Sequence, residues 1–515
     1  MLVAAGIFLS RLTGLIRSRV FSHYFGLDSV AADAFNTAFR IPNFLQNLFG
    51  EGVLSASFIP VYAGLVSRGE RREADRVAGT IGAILSLVVS MLVVAGVLAA
   101  PWLIAAIAPG FTGEKRDLTT LLVRILFPGA GLLVLSAWCL GILNSHHRFL
   151  LSYASGVMWN AAMIATLVAF GPDSAQPQLA VLLAWGSVVG SALQVAVQVP
   201  VVRRVAPELR QTLDVSSDQV RTVIRNFVPV FVSRGVVQLS AYVDFLLASF
   251  LPTGAPTGLA NAYLLSMLPV SLFGMSVAAA ELPSMAGDAQ AVGVAGGHGR
   301  HDAIRRRLDA GLRQIAFFVI PSAMAFLALG DVIAAAVFQT GRFRQVDAVY
   351  VWGILAGSAV GLLASTLGRL YSSAYYALQD TRTPLRYALV RVGLTTILGY
   401  VFAFPLRRWL GVPALWGAAG LTASAGIAGW IEMLMLRRRM NERIGRTGLP
   451  VDYVTKLWAA AAAAAALAWA VKLALPASLH PLIVAAFVLA AYGGVYFGTA
   501  VLLRVPIGIG LQRPS

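Results

Sequence analysis

The chain has 515 residues, 58% hydrophobic and 12% charged, with a mean hydropathy of +0.76, too little charge to cover a water-soluble protein of this size. The formal net charge of +17 lies in short loops between apolar stretches, with no basic tract or domain. That pattern argues against nucleic acid as a partner and fits topology signals and contact with anionic membrane lipids. Cys139 is the single cysteine, so no intrachain disulfide holds the fold, and no Cys/His grouping has metal-ligand spacing.

Apolar stretches of about 20 residues, the length that crosses a bilayer, recur along the whole chain, and the short alternating segments of a β-barrel are absent. The reading is an all-α polytopic membrane protein of about 14 transmembrane helices. The first span, 3–25, opens on "MLVAAGIFLSRLTG", which has no basic lead-in and no small-residue cleavage site, and reads as retained. It carries Arg11 and Arg17, whose directions on a helix differ by about 120° although both can line one broad wet face.

The second span, 30–66, is the least lipid-like. Its stretch "FRIPNFLQNLFGEGVLSASFIP" (39–60) holds Arg40, Asn43, Gln46, Asn47 and Glu51, and Asp33 lies just upstream. Pro42, Pro60, Gly50 and Gly52 are expected to interrupt the helical ladder. Irregular backbone at membrane depth is tolerated where it lines a water-filled cavity. Further spans fall near 77–108, 118–143, 149–170, 179–202, 224–251, 258–286, 309–338, 347–377, 386–405, 412–436, 454–474 and 481–503. The eighth repeats the interruption with Pro269, Gly274 and Pro283, and paired broken helices at corresponding places point to a transporter's binding site. Arg234 lies in the seventh span among apolar residues, and Arg369 lies late in the tenth.

Ionised side chains within spans normally face a protein interior or a wet cavity. Other readings stand beside that one. Arg17 and Arg19 also fit snorkelling to an interface, Asp33 an N-terminal cap beside "GLDSVAAD", and Glu51 an internal pair with an arginine. Arg124, Arg386 and Arg391 lie near span ends and read as interfacial. Asp244 reads as a partner for a nearby polar group, with a coupling-ion ligand as the alternative. The polar segments 203–223 and 287–308 are too small to fold as separate domains.

Alternate loops differ sharply in Lys and Arg. The set 67–76, 144–148, 203–225, 287–313, 379–386, 437–446 and the C-terminal tail holds roughly 24, against about 6 in the other set, which places the first set and both termini in the cytoplasm. The chain also echoes itself: "FLSRLTGLIRSRVFSHYFG" (8–26) in "FVSRGVVQLSAYVDFLLASF" (231–250), and "FGEGVLSASFIPVYAG" (49–64) in "FGMSVAAAELPSMAG" (273–287). The offsets agree at about 223–224 residues and enclose six spans, which implies parallel repeats. The expected organisation is two six-helix lobes around a central cavity, 1–203 and 224–436, plus a C-terminal helix pair, 454–503. Arg234 then occupies the place of Arg11 in the second repeat.

The stretches "SRLTGLIR" (10–17), "DAFNTAFRIPNFLQNLFGEGVLSASFIPVY" (33–62), "LFGMSVAAAELPSM" (272–285) and "ALQDTRTPLR" (377–386) resemble the MurJ/MviN lipid II flippases of the multidrug/oligosaccharidyl-lipid/polysaccharide exporter superfamily. The resemblance covers nearly the whole chain. It implies a transporter, not an enzyme, that moves an undecaprenyl-pyrophosphate-linked disaccharide pentapeptide (lipid II) across a bacterial inner membrane for peptidoglycan synthesis. It also implies that Arg11 and Arg17 match the cavity arginines of the family's first span. Asp33, Asn43 and Glu51 match polar positions of the second span, Arg40 a basic one, and Arg369 a basic residue of the tenth. The family commonly has arginines where this chain has Gln46 and Asn47, and near Leu264 in the eighth span. Arg234 is the candidate replacement. The cargo expected to sit against Arg11, Arg17, Asp33, Arg40, Asn43, Gln46, Asn47, Glu51, Arg234 and Arg369 is an anionic lipid, since guanidinium matches phosphate in bidentate fashion. Another lipid-linked glycan or a drug is the alternative cargo. No phosphate-binding GxxxxGK loop is present, no cofactor is implied, and a monovalent cation or the membrane potential is the candidate drive.

Overall fold

The computed structural model describes residues 2–49, 53, 54, 57–290, 297–476 and 478–505. Within them it describes all side chains but those of 2–8, 47, 149, 150, 152–154, 228–241, 288–290 and 297–300. Helices account for nearly all of this, and ten of the described helices are long and apolar enough to cross a membrane. Each expected span falls on a helix or on an interrupted helix. Contacts divide the chain into two compact units, 1–257 with 340–343, and 258–339 with 344–515.

The first unit contains α1 (Leu2–Phe25), α2 (Val30–Phe49), α3 (Ile59–Ser67), α4 (Arg71–Ile107), α5 (Gly113–Ser145), α6 (Phe149–Phe170), α7 (Gln176–Val205) and α8 (Asp218–Ala248). The repeat in the sequence assigns α8 to the second lobe, whereas by contact it belongs here, packed on α2, α3 and α4. Helix starts follow local chemistry. Ser29 caps α2 by accepting from Ala32 N at 3.2 Å, and Ser217 caps α8 by accepting from Gln219 N at 3.2 Å. Gly26 ends α1 at φ +69°, a left-handed conformation that suits glycine.

The most buried of these helices is α5, which packs on α2, α4 and α7. One apolar cluster gathers Phe21, Phe35, Leu122, Phe127 and Leu183, and a second gathers Phe58, Tyr62, Leu85, Trp138 and Val202. A polar thread stitches three of the helices. Ser136 Oγ donates to Gln198 Oε1, Gln198 Nε2 to Ser155 Oγ and Gln194 Nε2 to Ser136 Oγ, each at 2.8 Å. The polar segment after α7 is strapped to the start of α4. Asp75 accepts from Glu208 N at 3.0 Å, and Ser217 Oγ donates to Glu73 at 2.7 Å. Gly79 is required there, because a Cβ would run into the Arg210 carbonyl oxygen.

The second unit holds most of α9 (Ala255–Pro269), then a π-helical turn (Val270–Met275), α10 (Ser276–Gln290), α11 (Gly297–Phe338), α12 (Gln345–Ala377), α13 (Arg382–Ala403), α14 (Pro405–Trp409), α15 (Gly417–Ile444), α16 (Val451–Ala474) and α17 (Pro481–Leu502). α12 is flanked by α11 and α15. Gly361 and Gly426 meet backbone to backbone at the α12–α15 crossing, where no side chain would fit.

The two expected interruptions differ in form. Pro42 does not break α2, which continues to Phe49. One lost hydrogen bond is tolerable while packing holds both sides of the helix in line. Pro60 sits in the first turn of α3, where its missing N–H is no loss. Residues 53, 54 and 57 are helical, and Phe58 N donates to the Leu54 carbonyl at 2.9 Å. The other two expected interruptions, Gly50 and Gly52, lie outside the described residues. In the second unit the wide turn directly follows Pro269, with Gly274 close against the Thr366 side chain, and α10 runs through Pro283.

The C-terminal pair α16–α17 docks on α11 at that helix's own defect. Pro321 cannot donate to the carbonyl of Phe317, and Tyr496 Oη supplies the missing donor at 2.6 Å. Tyr492 Oη donates to the Pro321 carbonyl at 2.7 Å, and Lys472 pairs with the buried Asp331. Tyr496→Phe strands a buried carbonyl and is expected to cost about 1–3 kcal/mol, read as a lowered unfolding temperature in detergent. An unchanged temperature would show that the carbonyl has another donor.

Candidate functional site

α1 is fixed along α6. Gly156 faces Ser10, and Asn160 Nδ2 donates to Thr13 Oγ1 at 3.4 Å. This registers Arg17 over two stacked rings. Its guanidinium carbon lies 5.0 Å from the Trp159 ring centroid and 5.6 Å from that of Phe39. Those rings are 5.5 Å apart and 15° from parallel. Nη1 of Arg17 donates to Met163 Sδ at 3.9 Å, a weak acceptor. Among the described residues no carboxylate pairs with Arg17 or with the exposed Arg11. Arg17 is partly buried. It rests inside the unit on apolar and aromatic atoms.

Arg40 on α2 is engaged differently. Its guanidinium carbon stands 3.2 Å from the ring centroid of Phe245 on α8, and its backbone carbonyl accepts from Tyr242 Oη at 2.8 Å. Asn43 and Gln46 are half-buried. The side chain of Asn47, all of Glu51 and the side chain of Arg234 lie outside the described residues. The expected grouping of Arg234 with Arg11 and Arg17 lies outside them too.

Asp33 is fully buried, and its carboxylate is already committed. Lys115 Nζ lies 2.7 Å from Oδ2, which also accepts from Gly254 N at 2.9 Å. Oδ1 accepts from Thr257 N at 3.0 Å and Thr257 Oγ1 at 2.6 Å. Ser29 caps α2, so Asp33 does not cap its own helix. It caps the first turn of α9, where a negative charge meets unpaired N–H groups and the positive end of the helix dipole. With four donors the carboxylate has no capacity left for cargo, and Asp33 is a structural tether.

In the second unit, Arg369 on α12 is exposed. Arg391, which reads as interfacial in the sequence, instead joins α13 to α15 through Glu432 at 3.2 Å. Asp244 is buried in α8. Sequence reasoning missed Lys115, Trp159, Met163 and Glu432. Lys115 sits in "FTGEKRD", where charge is expected in any loop, and Trp159 and Met163 read as ordinary lipid-span residues.

The family model described as "Lipid II flippase MurJ" matches residues 21–493. The lipid II flippase MurJ of Burkholderia cenocepacia is 31% identical over 441 residues, covering 84% of this chain and 82% of that protein. The probable lipid II flippase MurJ of Rhizobium meliloti is 30% identical over 516 residues, covering 97% and 91%. Among solved structures, a lipid II flippase MurJ in an inward closed conformation is similar with a TM-score of 0.77 at 22% identity, covering 98% of this chain and 99% of that one. An inward-facing multidrug resistance MATE transporter of the MOP superfamily is similar with a TM-score of 0.64 at 17% identity, covering 84% and 95%.

The Asp33 knot makes a prediction about stability. Lys115→Met leaves a buried carboxylate without its cation and is expected to destabilise the protein by about 3 kcal/mol. Adding Asp33→Asn should recover part of that loss. Thermal unfolding of the purified variants checks both, and full additivity of the two changes would show that the residues are not coupled.

Proposed function

Because this chain belongs to the lipid II flippase MurJ family, we propose that it translocates lipid II across the bacterial inner membrane and that Arg17, with Arg11, receives the pyrophosphate. The protein is a multi-span membrane transporter, not an enzyme. The observation that carries the assignment of Arg17 is its setting. A cation inside the first helical unit, supported by two rings and a thioether, retains N–H groups that no described carboxylate occupies. Phosphate oxygens accept such bonds in charge-assisted, bidentate form. Asn43 and Gln46 join as neutral donors toward the sugar-peptide head, and Arg369 serves as a further cation. Asp33 is left out, since its oxygens are used within the protein.

Export of a cationic drug is the second reading, on the strength of the MATE-like fold. It needs an acidic receptor, and the buried acid of α2 is already neutralised by Lys115. The polyprenyl tail of lipid II can stay in the bilayer while the head crosses by alternating access. A monovalent cation gradient or the membrane potential is the proposed drive. Both termini are assigned to the cytoplasm from the Lys/Arg asymmetry.

Two measurements test this reading. In a bacterium depleted of its own flippase, the chain should restore growth and lipid II exposure at the outer surface. Arg17→Ala should abolish the rescue while inserting normally, and Arg17→Lys should rescue only in part, because lysine lacks the planar fork. Normal rescue by Arg17→Ala would remove Arg17 from the site. For topology, Cys139 is buried and gives a silent background. Single cysteines within 252–257 should label from the periplasm and those within 290–300 from the cytoplasm, and the reverse would overturn the orientation.

A further inference from the structure

Trp159 does more than fill space on α6. Its indole N–H donates to Ser187 Oγ on α7 at 3.1 Å, which fixes the far edge of the ring. Its backbone is drawn tight to α7 at Gly190, where an added Cβ would lie 2.9 Å from the Trp159 carbonyl oxygen. Phe39 of α2 stacks against the ring. Three helices thus set the plane of one ring, and that ring lies under the guanidinium of Arg17.

We propose that Trp159, with Phe39 stacked upon it, is a positioning residue that holds Arg17 ready for the diphosphate of the cargo by supporting it with a π face in place of a carboxylate. The inference rests on Arg17 being a cargo-binding residue. An aromatic face attracts a cation through its quadrupole and accepts no in-plane N–H bond. A carboxylate in the same place would take the paired N–H bonds that two phosphate oxygens use and would repel the cargo. Met163 Sδ, the hydrogen-bond acceptor that Arg17 has among the described residues, is weak and is displaced by a phosphate oxygen without stranding a charge. The platform therefore keeps the arginine in place while leaving its donors exchangeable. It also favours an anion with two oxygens in one plane over a cargo without a phosphate.

The test is a double-mutant cycle on the full-length protein in detergent, with purified lipid II as the probe and binding read by calorimetry. Arg17→Ala is expected to weaken binding strongly. Trp159→Leu should weaken it by about five- to tenfold when Arg17 is present and add nothing in the Arg17→Ala background. Trp159→Phe, which keeps a ring but loses the Ser187 anchor, should bind closer to the native protein than Trp159→Leu does. If Arg17→Ala binds lipid II as tightly as the native protein, the role of Arg17 falls, and the proposal with it. If Arg17→Ala weakens binding while Trp159→Leu is neutral, or if the two losses add, the positioning role alone is refuted. Should Trp159→Leu fail to fold, Phe39→Leu and Trp159→Phe run the same cycle from the other ring and decide the same question. A loss in Phe39→Leu that persists without Arg17 would be packing damage and would count against the proposal.

Discussion

A polar group withdrawn from water into a hydrocarbon-facing protein must find its partner within the protein, and much of this architecture is an answer to that requirement. Serine and glutamine side chains close a thread through α5, α6 and α7. A tyrosine from one helix completes the hydrogen bond that a proline denies to another. The carboxylate of Asp33 is distributed over an ammonium, two backbone N–H groups and a hydroxyl. In each case the partner comes from a different helix, so meeting the demand of one polar group also sets the position of two helices.

Arg17 departs from that rule. It is a cation supported by rings and sulfur, with no anion paired to it among the described residues. Setting a guanidinium against aromatic faces and a thioether is costly unless a counter-charge is supplied. On the proposed reading, the pyrophosphate of the cargo supplies that charge. The contrast with Asp33 on the neighbouring helix is instructive. Of these two ionisable residues in adjacent spans, Asp33 has a partner of opposite charge and Arg17 has none among the described residues.

The sequence revealed the spans readily, because hydrophobic length and Lys/Arg asymmetry are properties of whole segments. The disturbance at Pro269 was also visible, since a proline in an apolar run must dislodge one backbone bond. Its outcome as a wide helical turn was not, and neither was the passage of α2 straight through Pro42, because neighbouring packing decides how a lost bond is absorbed. The role of Asp33 was hidden for a different reason. Its partners, Lys115, Gly254 and Thr257, are remote in sequence and have no periodic relation to it. Trp159 was hidden by its own nature. An indole in a membrane span looks like any other large apolar residue until a guanidinium is found above it. Arg391 read as a span-end charge because Glu432 is a helix away.

The bonds around Pro321 have a kinematic meaning. α11 is notched at that proline, and the notch is filled by two hydroxyls of α17, while Lys472 of α16 clamps the same helix through Asp331. A hinge at a bare proline would let the two halves of α11 swing separately. Here swinging would have to tear two short hydrogen bonds and expose carbonyls to a medium that offers no replacement. The segment of α11 around Pro321 and the two terminal helices are therefore tied into one piece, like a beam with its brace.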